Sequence, residues 1–315
     1  MTSNSAPKTA WIITPGTAGH ELPCIGVCAA LGIKSPKIFK VNPKGLYKLL
    51  APWGPCKLER DMTDPYPDLI LCTARQSVPY GKKLKNLVNE AGGKIVFLQN
   101  PVVSSKNFDL VWCPMHDNVK GDNIISTLTS PHHLTSESLS ADVKIFENEY
   151  AKKEKQNIAV IIGGPNKVIK YLDHDIEQLI SYLKKLSSDE NIHLMLCPSR
   201  RTPKRLIEQL DAIFTPLGHI IWKENKPNPY KAILGLADKI IVTSDSVNMV
   251  GEVLFTGKPA AVYRFVDTTG KFALYLDNLY NKNTFEWFEG QLPQKKYQPI
   301  DATKIIAHSI LDLYK

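Results

Sequence analysis

The sequence predicts an α/β protein of two halves, each a parallel sheet layered with helices, with the cleft between the halves as the default ligand site. Three observations predict it. Short β-branched runs alternate with longer amphipathic stretches, the pattern of strand–helix–strand units. The alternation lapses in a loop-rich, charged segment and restarts at "NIAVIIGG", 157–164. At 315 residues the chain has the length of two ordinary domains rather than one.

Taken in order, strands are expected at 11–14 ("WIIT"), 37–41 ("KIFKV"), 68–72 ("DLILC"), 94–98 ("KIVFL") and 109–113 ("DLVWC"). Each is a short apolar run rich in β-branched or aromatic residues. Helices are expected over about 20–31 and 77–91. Segment 114–150 reads as loops ("MHDNVKGDN", "TSPHHLTSES") followed by a connecting helix. The second series has strands at 157–164, 192–197, 218–222, 238–243 and 260–264, with helices over about 173–186, 203–214, 228–237 and 246–256. A last helix, about 301–313, puts Ile305, Ile306, Ile310 and Leu313 on one face. The expected division is an N-terminal domain over 1–135, a linker over 136–156, a C-terminal domain over 157–300, and a terminal helix over 301–315 that packs back on the first domain.

The composition is globular, with 43% hydrophobic and 22% charged residues. A formal charge of +8 favours anionic partners such as nucleotides, phosphorylated sugars or an acidic membrane surface. Zinc-finger spacing and aromatic RNA-binding signatures are lacking, so nucleic acid is not expected as a partner. None of the six cysteines forms a Cys-x-x-Cys pair; Cys72, Cys113 and Cys197 end apolar runs, as reduced buried thiols do in a reducing cytoplasm. The opening "MTSNSAPKTA" has no signal-peptide core, and no stretch approaches the roughly 20 apolar residues that span a bilayer. The expected location is cytoplasmic, or peripheral on the inner face of the cytoplasmic membrane.

Open parallel sheets bind ligands beyond the carboxyl ends of their strands, which directs attention to the residues after each strand. After the first comes "TPGTAGHELPCIGVCAALG". Gly16 and Gly19 permit a tight strand-to-helix turn whose amides can face an anion, and His20 at the helix entrance can act as a general base. The plain alternative is a glycine-rich turn with a surface histidine. After "DKIIVT" comes "SDSVNMVGEVLFTGKP". Ser244, Asp245 or Ser246 can cap the helix, with Val247, Val250 and Leu254 on one side and Asp245, Asn248 and Glu252 clustered opposite. A solvated polar stripe is the ordinary reading of such a cluster. At the carboxyl end of a strand, however, a carboxylate can bind both ribose hydroxyls while the helix amides take phosphate oxygens. Gly163 and Gly164 in "VIIGGPNK", and Ser199, Arg200, Arg201 and Thr202 in "LCPSRRTP", supply two more phosphate-compatible strand ends.

Other signals are set aside. "DHD" at 173–175 opens a helix and reads as capping; "HH" at 132–133 and His116-Asp117 lack a third ligand at convincing spacing, so no metal is expected. "KKEK" at 152–155 reads as a solvated face. The chain has neither a Gly-x-Gly-x-x-Gly fingerprint nor a Gly-x-x-x-x-Gly-Lys-Ser/Thr loop.

Seven stretches together resemble the plant mitochondrial-fission (Elongated-Mitochondria) family and its bacterial homologues: "GTAGHE", "PDLILCTARQS", "FDLVWCPMHDNVKGDNIISTL", "IGG", "SRRTP", "NPY" and "TSDSVNMVGEVLFTGKP". They follow the family's order and span most of the chain. Pro15 departs from it, since the family more often has Asp there, which weakens any assignment resting on a carboxylate in the first turn. More distantly the family is similar to GT-B glycosyltransferases, two Rossmann-like domains facing a central cleft. "GTAGHELPCIGVCAALG" resembles the glycine-rich turn and histidine of the N-acetylglucosaminyltransferase of peptidoglycan synthesis, and "DSVNMVGEVLFTGKP" the donor-half segment whose Glu binds ribose.

By that resemblance Glu252 holds the ribose of a nucleotide-sugar, and Gly163, Gly164, Ser199, Arg200, Arg201, Thr202, Asn228, Tyr230, Ser244, Asp245, Ser246 and Met249 line the nucleotide, sugar and diphosphate site. His20 deprotonates the acceptor, near Gly16, Gly19, Arg75, His116 and Asp117. The resemblance implies a metal-independent transfer, with no cofactor besides the nucleotide-sugar, to a glycan or lipid-linked envelope acceptor. The alternatives are a non-catalytic scaffold in contact with an anionic membrane, and a nucleotide-sugar epimerase.

Overall fold

The computed structural model describes residues 6–315, which divide into two units, 6–133 with 301–315, and 134–300. The first unit begins with strand β1 (Ala10–Thr14), helix α1 (Ala18–Ala30), strand β2 (Lys37–Lys40) and a short helix α2 (Leu46–Leu50). Strand β3 (Leu69–Thr73), helix α3 (Val78–Glu90) and strands β4 (Lys94–Leu98), β5 (Leu110–Pro114) and β6 (Ile124–Thr127) complete its chain-order core. The six strands pair in the order β2-β1-β3-β4-β5-β6, all parallel.

The central strands are apolar throughout because both sheet faces are covered. Trp11, Ile13, Ile70, Ile95 and Phe97 bury into one cluster; Ile12, Leu69, Leu71, Val96 and Leu98 bury into the other. This alternation is the two-residue period of a strand read from both sides. Strand β6 lies in a segment expected as loop. Its "IIST" has only two apolar residues, both half-buried at the sheet edge, too short a run to register in the sequence pattern.

The second unit starts with helix α4 (Ser136–Tyr150), opened by a capping box in which Thr135 and Ser138 satisfy each other's backbone amides. It packs on a later helix of the same unit rather than standing apart as a connector. Strand β7 (Gln156–Ile162), helix α5 (Asp173–Ser187), strand β8 (Ile192–Pro198), helix α6 (Lys204–Phe214) and strand β9 (Ile220–Ile221) follow. Helix α7 (Tyr230–Leu236) is α4's partner. Strand β10 (Lys239–Thr243), helix α8 (Val247–Phe255), strand β11 (Ala260–Tyr263), helix α9 (Gly270–Asn281) and strand β12 (Glu286–Trp287) complete the series. The order is β12-β11-β10-β7-β8-β9, again parallel. Helix α9 and strand β12 were not expected from the sequence: α9 begins on a glycine, and β12 has only two residues.

The last helix, α10 (Ala302–Asp312), belongs to the first unit. Ile306 and Ile310 bury beside Ile12 and Leu71, and Tyr314 donates its hydroxyl to the Asp68 carbonyl at 2.5 Å. Ile305, expected on the same face, is instead 52% exposed. One residue is a 100° step on a helix, which carries Ile305 off the stripe formed by Ile306 and Ile310.

Both sheets have a place where successive strands begin to be laid down in the opposite direction. In the first it lies between β1 and β3; in the second, between β7 and β10. Outside the carboxyl ends of such a strand pair the two following loops part and leave a crevice.

Candidate functional site

The second unit concentrates its polar groups at the β7/β10 switch point. Strand register puts Ile161 beside Val242 and Ile162 beside Pro198, so Gly163, Ser199 and Ser244 leave the sheet at one end. At the middle of this end sits Asp245, 2% exposed. Its Oδ2 accepts from the Gly164 amide at 2.9 Å and from the Arg201 guanidinium at 3.1 Å. Its Oδ1 accepts from the hydroxyls of Tyr171 at 2.9 Å and Thr243 at 2.6 Å. Asn166 Nδ2 donates to the Asp245 carbonyl at 3.0 Å. Arg201 donates a second bond to the Gly164 carbonyl at 2.9 Å, and Thr243 Oγ1 accepts from the Gly163 amide at 2.9 Å. Burial and the adjacent carboxylate push the Tyr171 hydroxyl far above its usual range, so it acts only as a donor.

This arrangement gives the glycines a definite reason. A Cβ on Gly163 would lie 1.9 Å from Asp245 Oδ2, and one on Gly164 would lie 2.2 Å from the Arg201 carbonyl. The two positions admit the protein's own carboxylate and backbone. Thr202 is likewise committed: its buried hydroxyl donates to the carbonyls of Ile162 and Gly163 and accepts from the Ser199 amide at 2.8 Å. Ser199 Oγ accepts from the Arg201 amide at 3.2 Å. Ser244 is buried, with its Oγ 2.9 Å from Thr268 Oγ1 and accepting from the Phe265 amide at 3.2 Å. Several sequence-derived site residues therefore spend side-chain hydrogen bonds on joining the strand ends. Arg200 is exposed, and the Arg201 side chain remains 44% exposed beyond its ion pair with Asp245.

Helix α8 continues from this end. Ser246 caps it through a bond from the Met249 amide at 3.4 Å, while Val250, Val253 and Leu254 bury the opposite face. Glu252 does not lie on a solvated stripe. It is half-buried and accepts from the Tyr230 hydroxyl at 2.6 Å. Burial raises its carboxyl to about 7, against the opposing effects of that bond and Lys231. Tyr230 opens α7, and its amide donates to the exposed Asn228 at 2.9 Å, so "NPY" is a helix-capping turn that also aims the phenol at Glu252.

In the first unit Gly16 follows β1 with φ +83°, a conformation that favours glycine, and the Lys40 side chain packs against it. Gly19 is exposed in the first turn of α1. His20 is half-buried, which lowers its pKa and keeps the ring neutral near pH 7. Its Nδ1 lies 2.7 Å from Thr17 Oγ1. A base at Nε2 requires that Nδ1 carry the proton and donate it to Thr17, which fixes the tautomer the role demands. Arg75 follows β3, donates Nε to the Ala51 carbonyl, and stacks 5.4 Å above the Trp53 ring. His116 and Asp117 form a single turn after β5, two strands from β3 in the sheet. Gly16, His20 and Arg75 thus flank the first switch point, and His116 and Asp117 lie farther along the same edge. Among the described residues, no group of three or more His, Cys, Asp or Glu side chains could hold a metal ion.

Thr243, Asn166 and Tyr171 belong to the second site without having been foreseen. Thr243 ends the predicted strand, so its position was the available signal. Tyr171 lies well beyond β7 and reaches Asp245 only through the path of its loop, for which sequence spacing gives no cue.

Comparison with known proteins places the chain in a family. The model for mitochondrial fission ELM1 matches residues 18–314. The chain belongs to the mitochondrial fission ELM1 family. It is 25% identical to the mitochondrial fission protein ELM1 of Arabidopsis thaliana over 268 residues, covering 75% of this chain and 61% of that protein. It is 24% identical to an uncharacterised protein of Rickettsia prowazekii, covering 95% of this chain and 97% of the relative. Among solved structures, a UDP-GlcNAc 2-epimerase from Methanocaldococcus jannaschii aligns with a TM-score of 0.57 at 9% identity, covering 97% of this chain and 99% of that one. Acinetobacter baumannii MurG aligns at 0.50 with 15% identity, covering 98% and 93%. A Neisseria meningitidis UDP-GlcNAc 2-epimerase bound to UDP-GlcNAc aligns at 0.54 with 9% identity, covering 98% and 90%. The fold of this family member is GT-B-like, with two Rossmann-like units. Among the described residues no helix is long and apolar enough to cross a membrane.

Proposed function

We propose that this ELM1-family chain is a GT-B-type transferase whose second unit holds a nucleotide-sugar and whose first unit supplies a base for an acceptor hydroxyl. One observation carries the reading. The carboxyl ends of β7, β8 and β10 are locked at a switch point by the buried Asp245, and the next helix brings a half-buried carboxylate, Glu252, bonded to Tyr230. Ionised Glu252 accepts both ribose hydroxyls; Arg200, the open side of Arg201 and the α8 amides meet diphosphate charge. The gain on transfer would come from positioning and from stabilising the departing diphosphate. In this reading neutral His20, held by Thr17, takes the acceptor proton. Some GT-B-like neighbours handle a UDP-sugar, which makes that class the first donor to test.

The test is a thermal-shift screen of nucleotides and nucleotide-sugars against the purified protein. At least one nucleotide-sugar should raise Tm, and Glu252→Ala should abolish that rise while leaving the unliganded Tm close to wild type. A panel that leaves Tm unmoved removes the reading. Conversion of a donor to its epimer with no acceptor present would replace it by epimerisation.

A second reading is a scaffold without catalysis, supported by the family's link to mitochondrial fission and by the ion pair that already occupies Asp245 and Arg201. It predicts that Glu252→Ala retains full cellular function.

A further inference from the structure

Residues 44–57, "KGLYKLLAPWGPCK", form an anomaly on the first unit. Leu46 is 66% exposed, Leu49 74%, Trp53 63%, Tyr47 50% and Leu50 39%. Five large apolar or aromatic side chains this close together are rarely left in water without a purpose. The segment is also fixed in place. Ala51 is buried, its carbonyl accepts from Arg75, and the Arg75 guanidinium stacks on Trp53.

Its charge identifies the occupant. The stretch contains Lys44, Lys48 and Lys57 and no acidic residue. Arg75 adds a fourth positive group beside the apolar side chains. Leucines flanked by Trp, Tyr and Lys are the composition that settles at the boundary between headgroups and acyl chains, with anionic lipids attracting the lysines.

Its position ties it to the candidate site. The segment follows β2 and is held by Arg75, which follows β3. Strand β1, which is followed by Gly16 and then by His20 on α1, lies between those two strands. Behind the segment is a hollow of about 790 Å³ whose lining holds Lys40, Lys57 and Arg60 together with Glu59 and Asp61. A headgroup drawn to this surface would therefore reach the carboxyl end of the first sheet, the end His20 also borders, from the face covered by α3.

We propose that residues 44–57 seat the first unit on an anionic lipid bilayer, and that the acceptor is accordingly a lipid-linked hydroxyl presented at that surface. The second clause rests on the transferase reading; the first does not. The test is co-sedimentation of the full chain with vesicles of phosphatidylcholine alone and of phosphatidylcholine mixed with phosphatidylglycerol. Wild type should pellet with the mixed vesicles and lose most binding on pure phosphatidylcholine or at high salt. Leu46→Glu/Leu49→Glu should weaken partitioning by about tenfold or more, since it replaces two inserting side chains by charges the bilayer repels. Ile145→Glu, at a 71% exposed position of α4, should bind as wild type does. Both variants should keep the wild-type Tm and its nucleotide-sugar shift, which separates failure of docking from failure of the donor site. Wild type that stays in the supernatant with anionic vesicles, or a double variant that pellets as well as wild type, overturns the proposal. A concentration-dependent dimer that the double variant abolishes would assign the face to a second copy and overturn it too.

Discussion

The carboxyl ends of the two sheets use the same topology and differ in how they are finished. In the second unit Asp245 takes four donors and unites the ends of β7, β8 and β10. In the first unit the corresponding contacts are dispersed: the Gly16 amide to Thr14 Oγ1 at 3.2 Å, the Asn42 side chain to the Pro15 carbonyl at 3.5 Å, Lys40 to Glu21 at 3.8 Å, His20 to Thr17, and Arg75 to Ala51 and the Trp53 ring. The difference teaches that a polar residue at a strand end is not by itself a ligand contact. One end is a rigid frame whose polar groups mostly satisfy each other. The other ties its histidine ring to Thr17 and places an exposed apolar segment alongside.

That contrast can be broken at either end. The largest effect should come from the sparse end. His20→Ala should lower turnover by about 10²- to 10⁴-fold, the usual range for a lost general base, while sparing Tm and the donor-induced shift. Steady-state assay with an identified donor and acceptor checks it; an unchanged rate would return His20 to the role of surface residue. At the saturated end Asp245→Ala should act on stability. It strands the Gly164 amide, two hydroxyls and a guanidinium, for a loss of about 2–4 kcal/mol, reduced from a fully buried pair because Arg201 can rehydrate. Urea unfolding measures this, and a change within about 0.5 kcal/mol, the range of an ordinary surface substitution, would refute the frame. A smaller effect should follow at Glu252. Its folded pKa, near 7, lies above its usual value, so the folded state binds the extra proton between about pH 4.5 and 7. Stability therefore falls as pH rises through that window. Glu252→Gln should raise Tm at pH 8 and leave it nearly unchanged near pH 4.5, as read by pH-resolved thermal unfolding.

The parallel sheets were legible because their central strands are covered on both faces and read as unbroken apolar runs, "DLILC" and "NIAVII" among them. Strand β6 and helix α9 were not, since an edge strand with two apolar residues and a helix that opens on Gly270 weaken the periodic signal. At the site, sequence reading found the strand ends but could not tell frame from lining. Whether Thr202, Ser244 and Asp245 face inward or outward is decided by long-range partners such as Tyr171 and Thr268, which no local spacing encodes. Glu252 shows the converse. The helical wheel placed it opposite Val250 and Leu254, yet Tyr230, from a separate helix, covers that side as well.

The central claim is that ionised Glu252 grips the ribose of a nucleotide-sugar. Titration calorimetry at pH 6 and pH 8, with the nucleotide-sugar that gives the largest thermal shift, tests it most directly. Ribose hydroxyls need the ionised carboxylate, so wild-type affinity should rise about tenfold from pH 6 to pH 8, as expected for one group with a pKa near 7. Glu252→Gln should bind more weakly and show no such rise. Wild-type affinity that is flat across this range, or a Glu252→Gln protein that matches wild type at pH 8, would contradict the account.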